Sequence, residues 1–192
     1  GRFNYAFKNK YMFEANARVD YSSRFAPEHR KAVFPSFSAG WNIDRESFMD
    51  NVSWVDALKL RGSWGSLGNQ DVVTIGNYFN TIAIGSNYNF DGVAVDGAQQ
   101  YAHVNYAALW EKVYMTNIGI DATILGGKIN LTTDYFVKNT KDILLQPVTL
   151  ATLGWGTAAF ANQGQTRNRG IEAVVTYNGT VGDKFKYSVS GN

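Results

Sequence analysis

Residues 11–22 read YMFEANARVDYS, and the order of those letters decides the fold. Successive side chains on a β-strand point to opposite faces. One set here is Tyr11, Phe13, Ala15, Ala17, Val19 and Tyr21; the other is Met12, Glu14, Asn16, Arg18, Asp20 and Ser22. The first set is apolar and the second is polar or charged, so the segment predicts a strand with two unlike sides.

The same period of two recurs along the chain. Residues 33–43 place Val33, Pro35, Phe37, Ala39, Trp41 and Ile43 on one side. Residues 57–65 set Leu58, Leu60, Gly62 and Trp64 against Lys59, Arg61 and Ser63. Residues 116–125 set Ile118, Ile120, Ala122 and Ile124 against Asn117, Gly119, Asp121 and Thr123. Segments 128–138, 171–177 and 185–190 alternate likewise, and 1–7 reads as the end of a further strand. About eight strands and no sustained helical period predict an all-β, antiparallel chain.

The connections are sorted by length. Residues 8–10, 44–56, 125–128 and 181–184 are the shorter ones, whereas 23–32, about 66–115 and about 139–170 are long. They alternate along the chain, and an antiparallel meander puts alternate connections at opposite ends. All the long loops therefore gather on one rim, as in outer-membrane barrels. On strand 11–22 the bulky Tyr11, Phe13 and Tyr21 lie towards the ends and Ala15 and Ala17 hold the centre. Aromatics at both ends of a band of about ten residues suit the two interfaces of a bilayer better than the core of a sandwich. The opposite face then lines a wet lumen, where Glu14, Asn16, Arg18, Asp20, Arg61, Asp121 and Asp134 need not be desolvated.

Composition agrees with this direction. Charged residues make up 18% of the 192 residues, aromatics 15%, and 19 are glycine. The formal net charge of +2 comes from scattered basic residues, so no nucleic-acid-binding stripe is expected. There is no cysteine, which excludes disulfides and thiolate metal sites. His29 and His103, the two histidines, read as ordinary loop residues. No apolar run is long enough for a transmembrane helix, an absence that says nothing about barrel strands. Both ends stop within strand-like sequence, so the chain is expected to be a fragment.

No catalytic constellation is evident, so the chain is not expected to be an enzyme, and no cofactor is implied. Residues 154–159, GWGTAA, lack the βαβ surroundings of a dinucleotide site. Asp91 and Asp96 do not have the spacing of a calcium loop. The Asn-x-Ser/Thr matches at Asn51, Asn130 and Asn178 read as chance. The aromatics Tyr88, Phe90, Tyr101, Trp155 and Phe160 fall in the long loops, near Arg24, His29 and Arg30 on the same rim. Such aromatics suit either stacking on cargo or on a lid partner, or anchoring one loop to another.

Several of these stretches carry a family likeness. FEANARVDYSSRFAPEHRKAVFPSFSAGWNIDRESFM (13–49), WVDALKLRGSWGSLGNQ (54–70), LWEKVYMTNIGIDATILGGKINLTTDYFVKNTKDILL (109–145) and NQGQTRNRGIEAVVTYNG (162–179) resemble, in order, the barrel of SusC/RagA-type TonB-dependent outer-membrane transporters. Residues 71–108 and 146–161 are not covered. Tyr21 stands where the family often has glycine, and Gly126-Gly127-Lys128 makes a tighter turn than its usual Asn-rich one. The resemblance implies eight strands of a plugged barrel of roughly 22, with the plug domain and TonB box outside this chain. It implies an integral protein of a Gram-negative outer membrane. It also implies a SusD-like surface lipoprotein as lid, energy from the TonB–ExbB–ExbD complex, contact with outer-membrane lipid, and oligosaccharide or peptide as cargo. Two other readings of the pattern stay open: a closed eight-stranded barrel serving as anchor or adhesin, and a soluble carbohydrate-binding β-sandwich.

Overall fold

The computed structural model describes residues 1–71, 78–100, 104–148, 150, 152, 158–182 and 185–192. Eight strands form one antiparallel sheet: β1 (Arg2–Phe7), β2 (Tyr11–Tyr21), β3 (Lys31–Asn42), β4 (Val55–Asn69), β9 (Glu111–Ile124), β10 (Ile129–Leu145), β11 (Ala161–Val181) and β12 (Phe185–Gly191). Each pairs with its sequence neighbours in the sheet, an up-and-down meander. The four remaining strands, β5 (Ile82–Ile84), β6 (Tyr88–Phe90), β7 (Val93–Val95) and β8 (Ala98–Gln100), form two small paired ribbons inside the longest connection. No α-helix occurs among the described residues; residues 43–45 and 47–49 each make a short 3₁₀ turn.

The register confirms the two faces. Tyr11, Phe13, Ala15 and Ala17 pair with Trp41, Ala39, Phe37 and Pro35. Trp41 continues across to Leu60, which pairs with Ile120, which pairs with Thr133. One face is therefore apolar across the sheet, and nothing among the described residues covers it: Ile118 is 54% exposed, and Ile171 on β11 is 73% exposed. A β-sandwich would pack a second sheet there, so the sandwich reading fails. The sheet is also open, since β1 and β12 are its edges and do not pair. A closed eight-stranded barrel would join them, so that reading fails as well. What remains is a partial sheet of a larger barrel.

The four shorter connections lie at one end and the three long ones at the other, as the alternation requires. The turn at 125–128 needs left-handed backbone at three successive residues: Leu125, Gly126 and Gly127 have φ of 60°, 66° and 79°. The two glycines adopt it without a Cβ clash. Asp56 holds the turn by accepting a hydrogen bond from the Gly127 amide at 3.0 Å. In the longest connection Asp91 and Gly92, at φ 50° and 84°, form the two-residue hairpin turn between β6 and β7. That backbone role explains the Asp-Gly pair without a cation.

Strands reach further towards the long-loop rim than the alternation indicates. β4 runs on to Asn69, β9 begins at Glu111, β10 continues to Leu145 and β11 begins at Ala161. Residues 161–170, ANQGQTRNRG, are polar or small on both faces but remain laddered to β10. Both faces meet water there, so neither is selected to be apolar.

Candidate functional site

All seven acidic, basic and amide residues singled out from the pattern share the polar face. Glu14 and Ser38 are cross-strand partners, as are Arg61 and Gly119, and Gly119 and Asp134. The strongest cluster spans β4, β9 and β10. Arg61 donates from Nε to Asp121 Oδ2 at 3.0 Å and from Nη2 to Asp134 Oδ2 at 2.6 Å. Arg61 and Asp134 flank Gly119, whose missing side chain makes room for the guanidinium. A Cβ at that position would stand 2.7 Å from Arg61 Cζ and closer still to Asp134 Oδ1. On β2, Glu14 accepts from Arg2 Nη2 and from Asn16 Nδ2, each at 2.7 Å, and Arg18 pairs with Asp20 at 2.7 Å. Between the two groups of pairs, Glu14, Ser38, Arg61 and Asn117 line part of a concavity of about 550 Å³. Nothing in the cluster resembles a nucleophile with its base; the arrangement orders a charged wall.

At the short-turn rim, Glu46 ties three elements together. Its carboxylate accepts from Tyr11 Oη at 2.6 Å, Trp41 Nε1 at 3.0 Å and Lys10 Nζ at 3.0 Å. The Tyr11 hydroxyl first, then the Trp41 indole and the Lys10 ammonium, hold its pKa down at about 2. A carboxyl depressed on folding adds stability above its unfolded pKa of about 4.3 and loses it as pH falls through the folded value. The rim should therefore hold its shape from neutral pH down to about pH 4 and loosen between about pH 4 and 2. Hydrogen exchange at the Trp41 indole checks this. Protection that already fails at pH 5 would contradict the arrangement, and Glu46→Gln should remove the acid-dependent part.

At the opposite rim the three long connections are stitched into the main buried apolar cluster among the described residues. Phe25 is 1% exposed and stacks on Trp110 with ring centroids 5.1 Å apart, while Phe34 meets the same indole edge-on at 5.8 Å. Ala108 and Leu144 complete it. Trp110 Nε1 donates to the His29 carbonyl at 3.0 Å, and Arg30 Nη2 to Tyr78 Oη at 2.7 Å. Asn162 Nδ2 reaches the Leu109 and Asp142 carbonyls at 2.9 and 2.7 Å. Phe160 packs against this cluster, half-buried at the long-loop rim. Tyr88 and Phe90 lie side by side on the β6–β7 ribbon, centroids 4.7 Å apart and both exposed. Tyr101, His103 and Trp155 lie outside the described residues. Phe25, Phe34, Trp110 and Asn162 were missed from the sequence. The usable signal was Phe34, a bulky aromatic at a polar-face position beside the rim.

The chain matches a family model described as TonB dependent receptor-like, beta-barrel, over residues 1–192. It belongs to that family. The TonB-dependent receptor P39 of Formosa agariphila is 32% identical over 191 residues, covering 100% of this chain and 18% of that protein. The TonB-dependent receptor SusC of Bacteroides thetaiotaomicron is 30% identical over 195 residues, covering 100% of the chain and 19% of SusC. The chain thus spans about a fifth of the length of these relatives. Among solved structures, the RagAB peptide transporter superposes with a TM-score of 0.82 at 25% identity, over 98% of this chain and 21% of that one. The siderophore receptor PirA of Pseudomonas aeruginosa shares the fold at a TM-score of 0.59 and 12% identity, over 98% of this chain and 32% of that one.

The SusC/RagA resemblance read from residues 13–49 onward is borne out. For a TonB-dependent receptor barrel the open edges of β1 and β12 have a simple meaning, because barrels of this family continue beyond eight strands.

Proposed function

We propose that the chain forms part of the barrel of an outer-membrane importer of the SusC/RagA kind, with its apolar face in lipid and its charged face in the lumen. The observation that carries this is the uncovered apolar face backed by an ion-paired polar face on the same strands. A bare apolar sheet of this size is stable only where its solvent is hydrocarbon. Glu14, Asn16, Arg18, Asp20, Arg61, Asp121 and Asp134 line the lumen, and their mutual pairing keeps a wide, wet wall rigid. The plug and TonB box belong to the remainder of the protein, and a TonB–ExbB–ExbD complex supplies the energy. A SusD-like lipoprotein lids the long-loop rim, as the RagAB and SusC relatives suggest.

Cargo is an oligosaccharide or a peptide, met at the long-loop rim by Tyr88 and Phe90. Their exposed adjacent rings suit the apolar face of a sugar or of a peptide side chain. The test uses the full-length protein in its outer membrane, with growth on defined glycans and peptides as sole nutrient. Uptake that disappears when TonB is removed supports the importer reading, and TonB-independent uptake overturns it. Tyr88→Ala with Phe90→Ala should weaken cargo binding about tenfold or more, the stacking of two rings being worth about 1–3 kcal/mol. Unchanged affinity would return both rings to loop packing.

A further inference from the structure

Charge is sorted between the two faces more strictly than alternation demands. The polar face carries both signs, largely paired. On the outward, apolar face of the eight described strands, every charged residue in regular register is positive: Lys31, Lys112, Lys141, Arg167 and Arg169. The two acids of matching or nearby position sit in bulges. Asp56 is at the short-turn rim, holding Gly127, and Asp142 follows Lys141 with φ 57°. No ion pair of the described residues includes any of the five cations.

Their positions follow a line. On β11 the apolar series ends at Ile171, and the next two outward residues are Arg169 and Arg167. On β9 and β10, Lys112 and Lys141 face each other one outward step beyond Tyr114 and Asn139. On β3, Lys31 lies opposite Tyr21, the last outward residue of β2. Arg169 stands on the same hydrogen-bonded rung as Val137, Thr116, Trp64 and Phe37, whereas Lys31 is several rungs nearer the long loops. The line is thus oblique to the rungs. Barrel strands tilt by about 35–45°, so a membrane boundary also crosses the rungs obliquely. The cations trace such a boundary just beyond the ring of Trp64 and Tyr114, which stack 6.3 Å apart.

Like charges directly across a strand pair repel, and Lys112 opposite Lys141 is such a pair. Arg167 stands diagonally across from Lys141 on the adjacent strand, about 7–8 Å away, Arg169 lies one outward step further along β11, and both are exposed. Lys141 Nζ rests 5.9 Å from the Tyr114 ring centre, an amphipathic pairing suited to the headgroup layer. Clustered cations without protein partners, including guanidinium forks that match phosphate oxygens, call for an anion from outside the chain. We propose that Lys112, Lys141, Arg167 and Arg169 form a docking patch for the phosphate groups of anionic lipids in the leaflet at the long-loop rim. This rests on the barrel reading above.

The test compares the full-length protein with a K141Q/R167Q/R169Q variant in nanodiscs of phosphatidylcholine, with and without phosphatidic acid. Retained lipid is counted by native mass spectrometry. Protease protection of the strands first reports insertion. Wild type should hold the phosphomonoester lipid about a hundredfold more tightly than the variant, as three headgroup-level cations would give. The preference should fade with added salt. Equal retention by an inserted variant overturns the patch alone. A wild type that fails to insert overturns the barrel reading and the patch with it.

Discussion

Ala17→Arg in the full-length protein should destabilise the barrel in a bilayer by about 2–4 kcal/mol, the cost of a cation on a lipid face near mid-depth. Asn16→Arg, one residue away, should cost less than about 1 kcal/mol. The contrast comes from the pleat. Ala17 is exposed on the outward face opposite Pro35, midway between Tyr11 and Tyr21. Asn16 faces the polar side, where its amide donates to Glu14, and an arginine there can make the same bond in water. Reversible unfolding from lipid vesicles measures both. Equal costs at the two positions would remove the lipid from the outward face of β2. The expected difference also separates membrane burial from mere loss of packing, because alanine has little side chain to lose.

That two-faced pattern explains how far the fold was legible. Wherever one face is apolar and the other wet, the period of two exposes the strand, as in residues 11–21 and 116–124. At 161–170 it vanishes although the ladder with β10 continues, since water on both sides imposes no alternation. The β6–β7 ribbon is announced only by its Asp91-Gly92 turn. Register reaches the polar-face residues because parity fixes which side chains share a face. It does not say which of them touch. Arg61 meets Asp121 and Asp134 through sequence separations of 60 and 73 residues, closed by the long connection between β4 and β9. The rim cluster was less legible still: Trp110 reaches the His29 carbonyl across 81 residues, and neither position breaks any local pattern.

Gly119→Ala is expected to cost about 2–3 kcal/mol, unusually much for one methyl group on a solvated wall. The methyl group would enter space held by Arg61 and Asp134. Strand backbone cannot yield, because Gly119 is laddered on both sides, to Arg61 and to Asp134. The guanidinium must therefore swing away, leaving Asp134, with 15% of its side chain exposed, without the donor at 2.6 Å. A shielded carboxylate deprived of its partner costs about 1–3 kcal/mol, and overpacking adds to it. Arg61→Ala alone should cost a similar amount, for it strands Asp121 and Asp134 together on one face. The two changes should not add. With Arg61 already shortened, Asp134 Oδ1 is the close contact that remains, and that side chain, no longer held by the guanidinium, can turn away, so Gly119→Ala in that background should cost under about 1 kcal/mol. The coupling of about 2 kcal/mol is the signature of a glycine kept for a side chain that crosses over it. Strict additivity would mean that Arg61 does not lie across Gly119 in the assembled barrel, and the charged wall would then be held by each strand separately.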